Sequence, residues 1–201
     1  MKNIAVFCSG FGSNLQAIID AVKKGKIKAD LRLVVSDNPA CSALKRAKKA
    51  GIQVFVLEAK NFTTREAYDK EIIKALKKEK INLIVLAGFM RLLSTHFVKA
   101  YKNRIINIHP ALLPSFKGTH GIKDAFEYGV KVTGASVHFV DEKLDHGPII
   151  LQKVIEISEK DTLKSLEKKM HKAEHEIYPK AIELIAQNKI KITGRKVKIE
   201  T

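Results

Sequence analysis

The sequence predicts an α/β fold built on a doubly wound, mostly parallel sheet that ends in an antiparallel extension. Two observations carry this expectation. Short apolar runs alternate with helix-periodic stretches up to His109, and beyond it strictly alternating strands replace that rhythm. A third bounds it: 201 residues, 45% of them hydrophobic, fit one compact domain with a sizeable core.

In chain order, the apolar run Ile4 to Cys8 precedes the periodic stretch Leu15 to Lys23. Leu31 to Ser36 precedes Ser42 to Ala50, and Val54 to Leu57 precedes Arg65 to Lys78, a βαβαβα series. Leu83 to Ala87 and Ile105 to His109 are continuous apolar runs, as in strands covered on both faces. A loop punctuated by Pro110 and Pro114 and a short helix near Ile122 to Tyr128 follow. The alternating strands Gly134 to Val140 and Ile149 to Ile157 are expected to pair antiparallel, ahead of a long helix over Thr162 to Ala186. Ile190 to Ile199 alternates around Thr193-Gly194 like a terminal hairpin. The reading is one domain over residues 1–201, with a Rossmann-like half at 1–105 and a second half at 106–201.

Composition excludes several classes. No run approaches membrane length, and Ile4 to Cys8 is too short for a signal-peptide core, so no membrane partner is expected. Cys8 and Cys41 alone give no disulfide framework, which points to a reducing cytoplasm. The net charge of +16 attracts polyanions without choosing among nucleic acid, acidic lipid and small anions. The basic runs Lys45-Arg46-Ala47-Lys48-Lys49 and Lys77-Lys78-Glu79-Lys80 read as solvated helix faces, because aromatic residues for stacking on bases are sparse around them.

Ser9-Gly10-Phe11-Gly12-Ser13-Asn14 leaves the first strand and enters a helix, so backbone N–H groups and a positive helix end converge where an anion would sit. Ser13 or Asn14 is placed to cap that helix. The third glycine of the dinucleotide fingerprint and the Walker lysine are both missing. A phosphate monoester site and a plain strand-to-helix turn both remain open.

Asn107 and His109 stand two apart at the end of a strand, so both side chains point to one face at the carboxyl edge, where α/β sheets hold ligands. His109 alone also fits a satisfied structural histidine. Asp145 lies in the loop Val140 to Pro148 between the two antiparallel strands; there it is either solvated or folded over His109, where its carboxylate would favour the imidazolium.

Five segments resemble one known family: Phe11-Gly12-Ser13-Asn14-Leu15-Gln16-Ala17, Ala87-Gly88-Phe89-Met90-Arg91, Asn107-Ile108-His109-Pro110-Ala111-Leu112-Leu113-Pro114, Ser136-Val137-His138-Phe139-Val140 and Asp145-His146-Gly147-Pro148-Ile149-Ile150-Leu151-Gln152. In this order, from the first strand to about Pro179, they are similar to the phosphoribosylglycinamide formyltransferases, folate-dependent enzymes of purine synthesis. The resemblance implies 10-formyltetrahydrofolate as donor co-substrate, glycinamide ribonucleotide as acceptor, and no metal. It places phosphate contacts on Gly12, Ser13 and Asn14 in the N-terminal half, and the acceptor ribose on Glu174. Folate contacts fall on Arg65, Met90, Arg91, Leu92, Leu93, Asn107, and on Asp141, Glu142, Lys143, Leu144 and Asp145. The catalytic trio is Asn107, His109 and Asp145. The acceptor amine is itself the nucleophile, so Asn107 and protonated His109 would stabilise the oxyanion while Asp145 holds His109 charged. Ser115 and Lys117 depart from common family residues, and Gly121 follows His120 where a larger side chain is common. The expected protein is a cytoplasmic monomer or homodimer with no nucleic-acid partner.

Other features keep plainer readings. His171-Lys172-Ala173-Glu174-His175 fits a zinc-peptidase pattern, yet no third ligand is assignable and Glu174 has a competing role. His138 fits a core-facing role or the edge of the site, Met90 and Leu92-Leu93 fit a pteridine slot or a packing cluster, and Cys8 fits core filling. Three rival activities stand beside the main one. Methionyl-tRNA formyltransferase shares the folate half and the trio but carries an added RNA-binding domain, for which this chain ends too early. Formyltetrahydrofolate hydrolase would pass the formyl group to water. A basic nucleic-acid-binding module would rest on the charge alone.

Overall fold

The computed structural model describes residues 1–200 and divides into two compact units, Met1–Ile106 and Asn107–Thr201. The first unit holds β1 (Lys2–Phe7), α1 (Ser13–Lys23), β2 (Ala29–Ser36), α2 (Ser42–Lys49), β3 (Gln53–Val56), a 3₁₀ turn (Ala59–Asn61), α3 (Arg65–Lys78), β4 (Leu83–Leu86) and α4 (Thr95–Ala100). β5 (Ile105–His109) begins there and carries its last three residues in the second unit. The second unit continues with α5 (Gly121–Tyr128), β6 (Val132–Phe139), β7 (Ile149–Glu156), α6 (Leu163–Ala186) and the hairpin β8 (Ile190–Thr193) and β9 (Lys196–Ile199).

Seven strands form a mostly parallel sheet in the order β3-β2-β1-β4-β5-β6-β7, and β8 with β9 form a separate antiparallel pair. The expected fold class is therefore observed. β1 pairs in parallel with β2 on one side and β4 on the other, so the winding direction reverses there. Right-handed crossovers then put α1 and α2 on one face of the sheet and α3 on the other. Such a reversal opens a ligand crevice at the carboxyl ends of the strands, and the glycine loop that follows β1 lies at it.

The core of the first unit is apolar and continuous: Ile4, Val6, Phe7, Leu33, Val34, Val35, Ile84 and Val85 are all at most 1% exposed. β1 and β4 are buried along nearly their whole length, which is why they read as unbroken apolar runs rather than alternating ones. In the second unit β6 and β7 pair antiparallel, with a register shift between Val137 and His138, and α6 packs on both. A capping box opens α6: Thr162 accepts from Ser165 N, and the Ser165 hydroxyl accepts from Thr162 N.

Two expectations are corrected. Ser13 and Asn14 do not cap α1; its cap is Gly12, with no side-chain bond, because a left-handed residue there already turns the chain into the helix. Helix α4 has no counterpart in the sequence reading. Its six residues are too few to show a period; local polar bonds define it, with the Ser94 hydroxyl accepting from Phe97 N and Ser94 N donating to the Asp69 carboxylate at 2.7 Å. No helix among the described residues is long and apolar enough to cross a membrane.

Candidate active site

The polar cluster is built on the carboxyl end of β5. Asn107 and His109 project to one face, and the turn after them is held by a single hydroxyl. Ser136 Oγ on β6 donates to Ala111 O at 2.7 Å and accepts from Leu113 N at 3.0 Å and Gln152 Nε2 at 2.9 Å, which uses its whole hydrogen-bonding capacity. Gln152 Nε2 also donates to Leu113 O at 3.1 Å. The backbone beyond His109 is thereby fixed by bonds in which Ser136, Ala111 and Leu113 are buried and Gln152 is exposed.

Asp145 reaches this cluster from the loop between β6 and β7. Its Oδ2 lies 3.5 Å from His109 Nδ1 and accepts from Gly118 N at 2.9 Å, and its Oδ1 lies 3.7 Å from His138 Nε2. Burial works against the Asp145 carboxylate; bonding from the His138 ring and Gly118 N–H, with the nearby histidine charges, more than offsets it and holds the group below the usual carboxylate range. His109 is 3% exposed, and its Nε2 donates to Phe116 O at 2.7 Å. Both ring nitrogens thus face acceptors, an arrangement that the doubly protonated ring satisfies. His138 Nδ1 donates to Phe139 O at 2.8 Å, and its Nε2 meets Asn107 Nδ2 at 3.3 Å. The Asn107 amide carries two N–H groups, of which one at most is directed at that ring.

The loop that carries Asp145 is tightly determined. Asp145 sits in the left-handed region at φ 45°, which aspartate tolerates better than most side chains. Gly147 is wedged against the end of β6, where an added Cβ would lie 1.9 Å from Phe139 O. At the start of the loop, Asp141 accepts from Lys143 N at 3.0 Å and from the His146 ring at 2.7 Å. Burial opposes the Asp141 carboxylate, but bonds from His146 and Lys143 and the Arg195 charge hold it below its ordinary range. Glu142, Lys143 and Leu144 are exposed.

The glycine loop belongs to the first unit. Gly12 has φ 80°, and a Cβ there would meet Ala43 Cβ at 2.7 Å, so conformation and close packing both require glycine. Ser13 and Asn14 form the first turn of α1, which has no acidic residue, so its positive end is electrostatically open to an anion. Arg46 backs the loop: its Nε donates to Phe11 O at 3.1 Å and its guanidinium lies 4.6 Å over the Phe11 ring. Arg65 is exposed at the start of α3, and the Arg91 guanidinium lies 5.1 Å over the Tyr68 ring. Met90 and Leu92 are 69% and 58% exposed, while Leu93 is half-buried.

Glu174 is buried on α6 and accepts from His171 Nδ1 at 3.0 Å. That bond raises the pKa of His171, whereas burial lowers that of His175. The two rings stack with centroids 6.3 Å apart. No group of three or more His, Cys, Asp or Glu among the described residues is placed to hold a metal ion.

The structure therefore brings Asn107, His109 and Asp145 together, places His138 at the edge of the site, one of the two readings open to it, and adds Ser136, Phe116 and Gly118, to which the sequence reading gave no role in the cluster. A signal for Ser136 existed. Ser136 and His138 stand two apart in a strand that is buried from Thr133 onward, a polar pair at the period that faces one side. Phe116 and Gly118 act through backbone atoms and left no signal.

The chain that forms this sheet and strand-edge Asn–His–Asp cluster matches the formyl transferase family model over residues 2–182, and it belongs to that family. Within it, the chain is 46% identical over 182 residues to phosphoribosylglycinamide formyltransferase of Bacillus subtilis, covering 90% of this chain and 93% of that one. It is 47% identical to part of the trifunctional purine biosynthetic protein adenosine-3 of Drosophila melanogaster, where 92% of this chain matches 14% of the larger protein. The crystal structure of glycinamide ribonucleotide transformylase 1 from Symbiobacterium toebii superposes with a TM-score of 0.98 at 41% identity, covering 100% of this chain and 95% of that one.

Proposed function

We propose that this enzyme transfers the formyl group of 10-formyltetrahydrofolate to the amine of glycinamide ribonucleotide. The observation that carries the reading is the meeting of Asn107, His109 and Asp145 at one strand edge, the first and last 38 positions apart, in a chain of this family.

The acceptor amine attacks the formyl carbon, a C–N bond forms, and negative charge collects on the formyl oxygen. An Asn107 N–H and the protonated His109 ring are the donors for that charge, the ring being held from its far side by the Asp145 carboxylate at Nδ1. The formyl oxygen takes the place that the Phe116 carbonyl holds at His109 Nε2 in this structure. Asp145 keeps His109 charged and takes the amine proton through water, and returns that proton to the folate nitrogen as its bond to the formyl carbon breaks. Gly12, Ser13 and Asn14 receive the acceptor phosphate, and Glu174 its ribose. Arg65, the segment Met90 to Leu93 and the segment Asp141 to Leu144 receive the folate.

The test is a paired assay with one formyl donor and three acceptors. Formylated glycinamide ribonucleotide is expected, with neither formyl-methionyl-tRNA nor acceptor-independent formate. Preferential formylation of charged tRNA, or release of formate at the same rate without an amine, would overturn the proposal.

A further inference from the structure

The bonds that fix the Asp145 loop do not all originate in the loop. The β8–β9 hairpin lies outside the seven-stranded sheet, is largely exposed, and turns in two residues, Gly194 and Arg195, between the paired Thr193 and Lys196. A two-stranded hairpin of this kind has little stability of its own. Its tip nevertheless makes a directed set of bonds. Arg195 Nη2 donates to His146 O at 2.7 Å, and Nη1 lies 3.1 Å from His146 Nε2 and 3.3 Å from Nδ1. The guanidinium thus grips both the carbonyl and the ring of the residue next to Asp145, as a planar fork with fixed donors can. His146 Nδ1 donates to Asp141 Oδ2 at 2.7 Å and its Nε2 faces Arg195 Nη1, so the ring is held between the two.

We propose that Arg195 is a positioning residue that, through His146, holds the Asp141–Gly147 loop in the conformation in which Asp145 faces His109. The inference rests on the functional reading above and assigns a cation at the far end of the chain to the geometry of that site. Asp145 occupies a left-handed backbone conformation that persists only where its surroundings determine it. Three consecutive residues supply the determination: Asp145 through Gly118 N, His146 through Arg195 and Asp141, and Gly147 through its contact with Phe139 O. Of these anchors, only the Arg195 contact comes from outside the β5 to β7 segment. Arg195 itself is exposed and touches no other group of the cluster in the bonds described. Its loss therefore releases the loop without removing a group from the reaction.

The experiment compares the full-length wild type with Arg195→Ala and Arg195→Lys by two independent readouts. Amide exchange followed by NMR reads the loop directly, because Gly118 N–H is held by Asp145 and Lys143 N–H by Asp141. In Arg195→Ala both amides are expected to exchange severalfold faster, with the amides of β1 and β4 unchanged. Steady-state kinetics should show kcat/KM for the formyl donor reduced on the order of tenfold, as for a misplaced catalytic group, with the acceptor KM unchanged. Arg195→Lys, which restores a donor to the His146 carbonyl but not the fork, should fall between the two. If faster exchange is confined to the hairpin and donor kcat/KM stays at the wild-type value, the proposal is wrong. Should Arg195→Ala not be recovered folded, Arg195→Gln decides by the same readouts. A wild type that fails to formylate glycinamide ribonucleotide sinks the functional reading, while the exchange result still decides whether Arg195 positions the loop.

Discussion

The two units prepare their polar features by different means. In the first, the glycine loop is shaped by backbone: Gly12 in a left-handed conformation against Ala43, and the positive end of α1. In the second, side chains from β5, β6 and the β6–β7 loop meet, with His109, His138 and Asp145 all at most 9% exposed. A backbone feature depends on residues adjacent in sequence and tolerates no added atom. A side-chain cluster depends on distant residues and tolerates no changed functional group. Substitutions at the two places should therefore fail differently.

The largest effect is expected in the cluster. His109→Ala and Asp145→Asn should each lower kcat by roughly 10²- to 10⁴-fold, the usual share of a positioned acid or base, with the acceptor KM and the melting temperature little changed. Stopped-flow or steady-state formyl transfer, beside a thermal melt, checks both. A wild-type kcat in either variant would mean that the cluster is structural and would remove the contrast between the units.

Next in size is Gly12→Ala, where one methyl meets Ala43 Cβ at 2.7 Å and Ala43 Cα at 2.8 Å at a φ of 80°. Overpacking and left-handed strain together should cost about 3 kcal/mol, read as a lower denaturant midpoint. The acceptor KM should rise while the donor KM holds. A donor KM that rises instead would show that the phosphate has been assigned to the wrong loop.

Ser136→Ala sharpens the comparison from the other side, because Ser136 supports the cluster without entering the chemistry. Removing the hydroxyl strands Leu113 N and Ala111 O in a buried turn, at about 2 kcal/mol of stability, measured by chemical denaturation. Loss of activity without loss of stability would place Ser136 in the reaction.

The same division explains what the sequence made legible. The βα units of the first half announced themselves because β1 and β4 are buried on both faces and alternate with periodic helices. Asn107 and His109 were readable as a pair because strand geometry alone puts them on one face. The residues alone left Asp145 open between a solvated loop position and one folded over His109, and only the resemblance chose, since its 3.5 Å approach to His109 depends on a loop path that no local pattern encodes. Arg195 was out of reach for the same reason: its partner lies 49 residues away. Phe116 O and Gly118 N were illegible in principle, because every residue carries these atoms.

The smallest expected effect concerns His171 and carries a sign. Its bond to Glu174 raises its folded-state pKa. A histidine raised in this way contributes stability that is fully present below its unfolded value of about 6.5 and is lost as pH rises through the folded value. His171→Gln keeps a hydrogen-bond donor and removes the charge. Because the His171 side chain is 53% exposed, solvent screening limits the difference to a few tenths of a kcal/mol. The wild type should therefore melt slightly higher than His171→Gln near pH 6 and at the same temperature near pH 9. A difference that grows with pH would mean that Glu174 uses the neutral ring as a donor and that the charge is incidental.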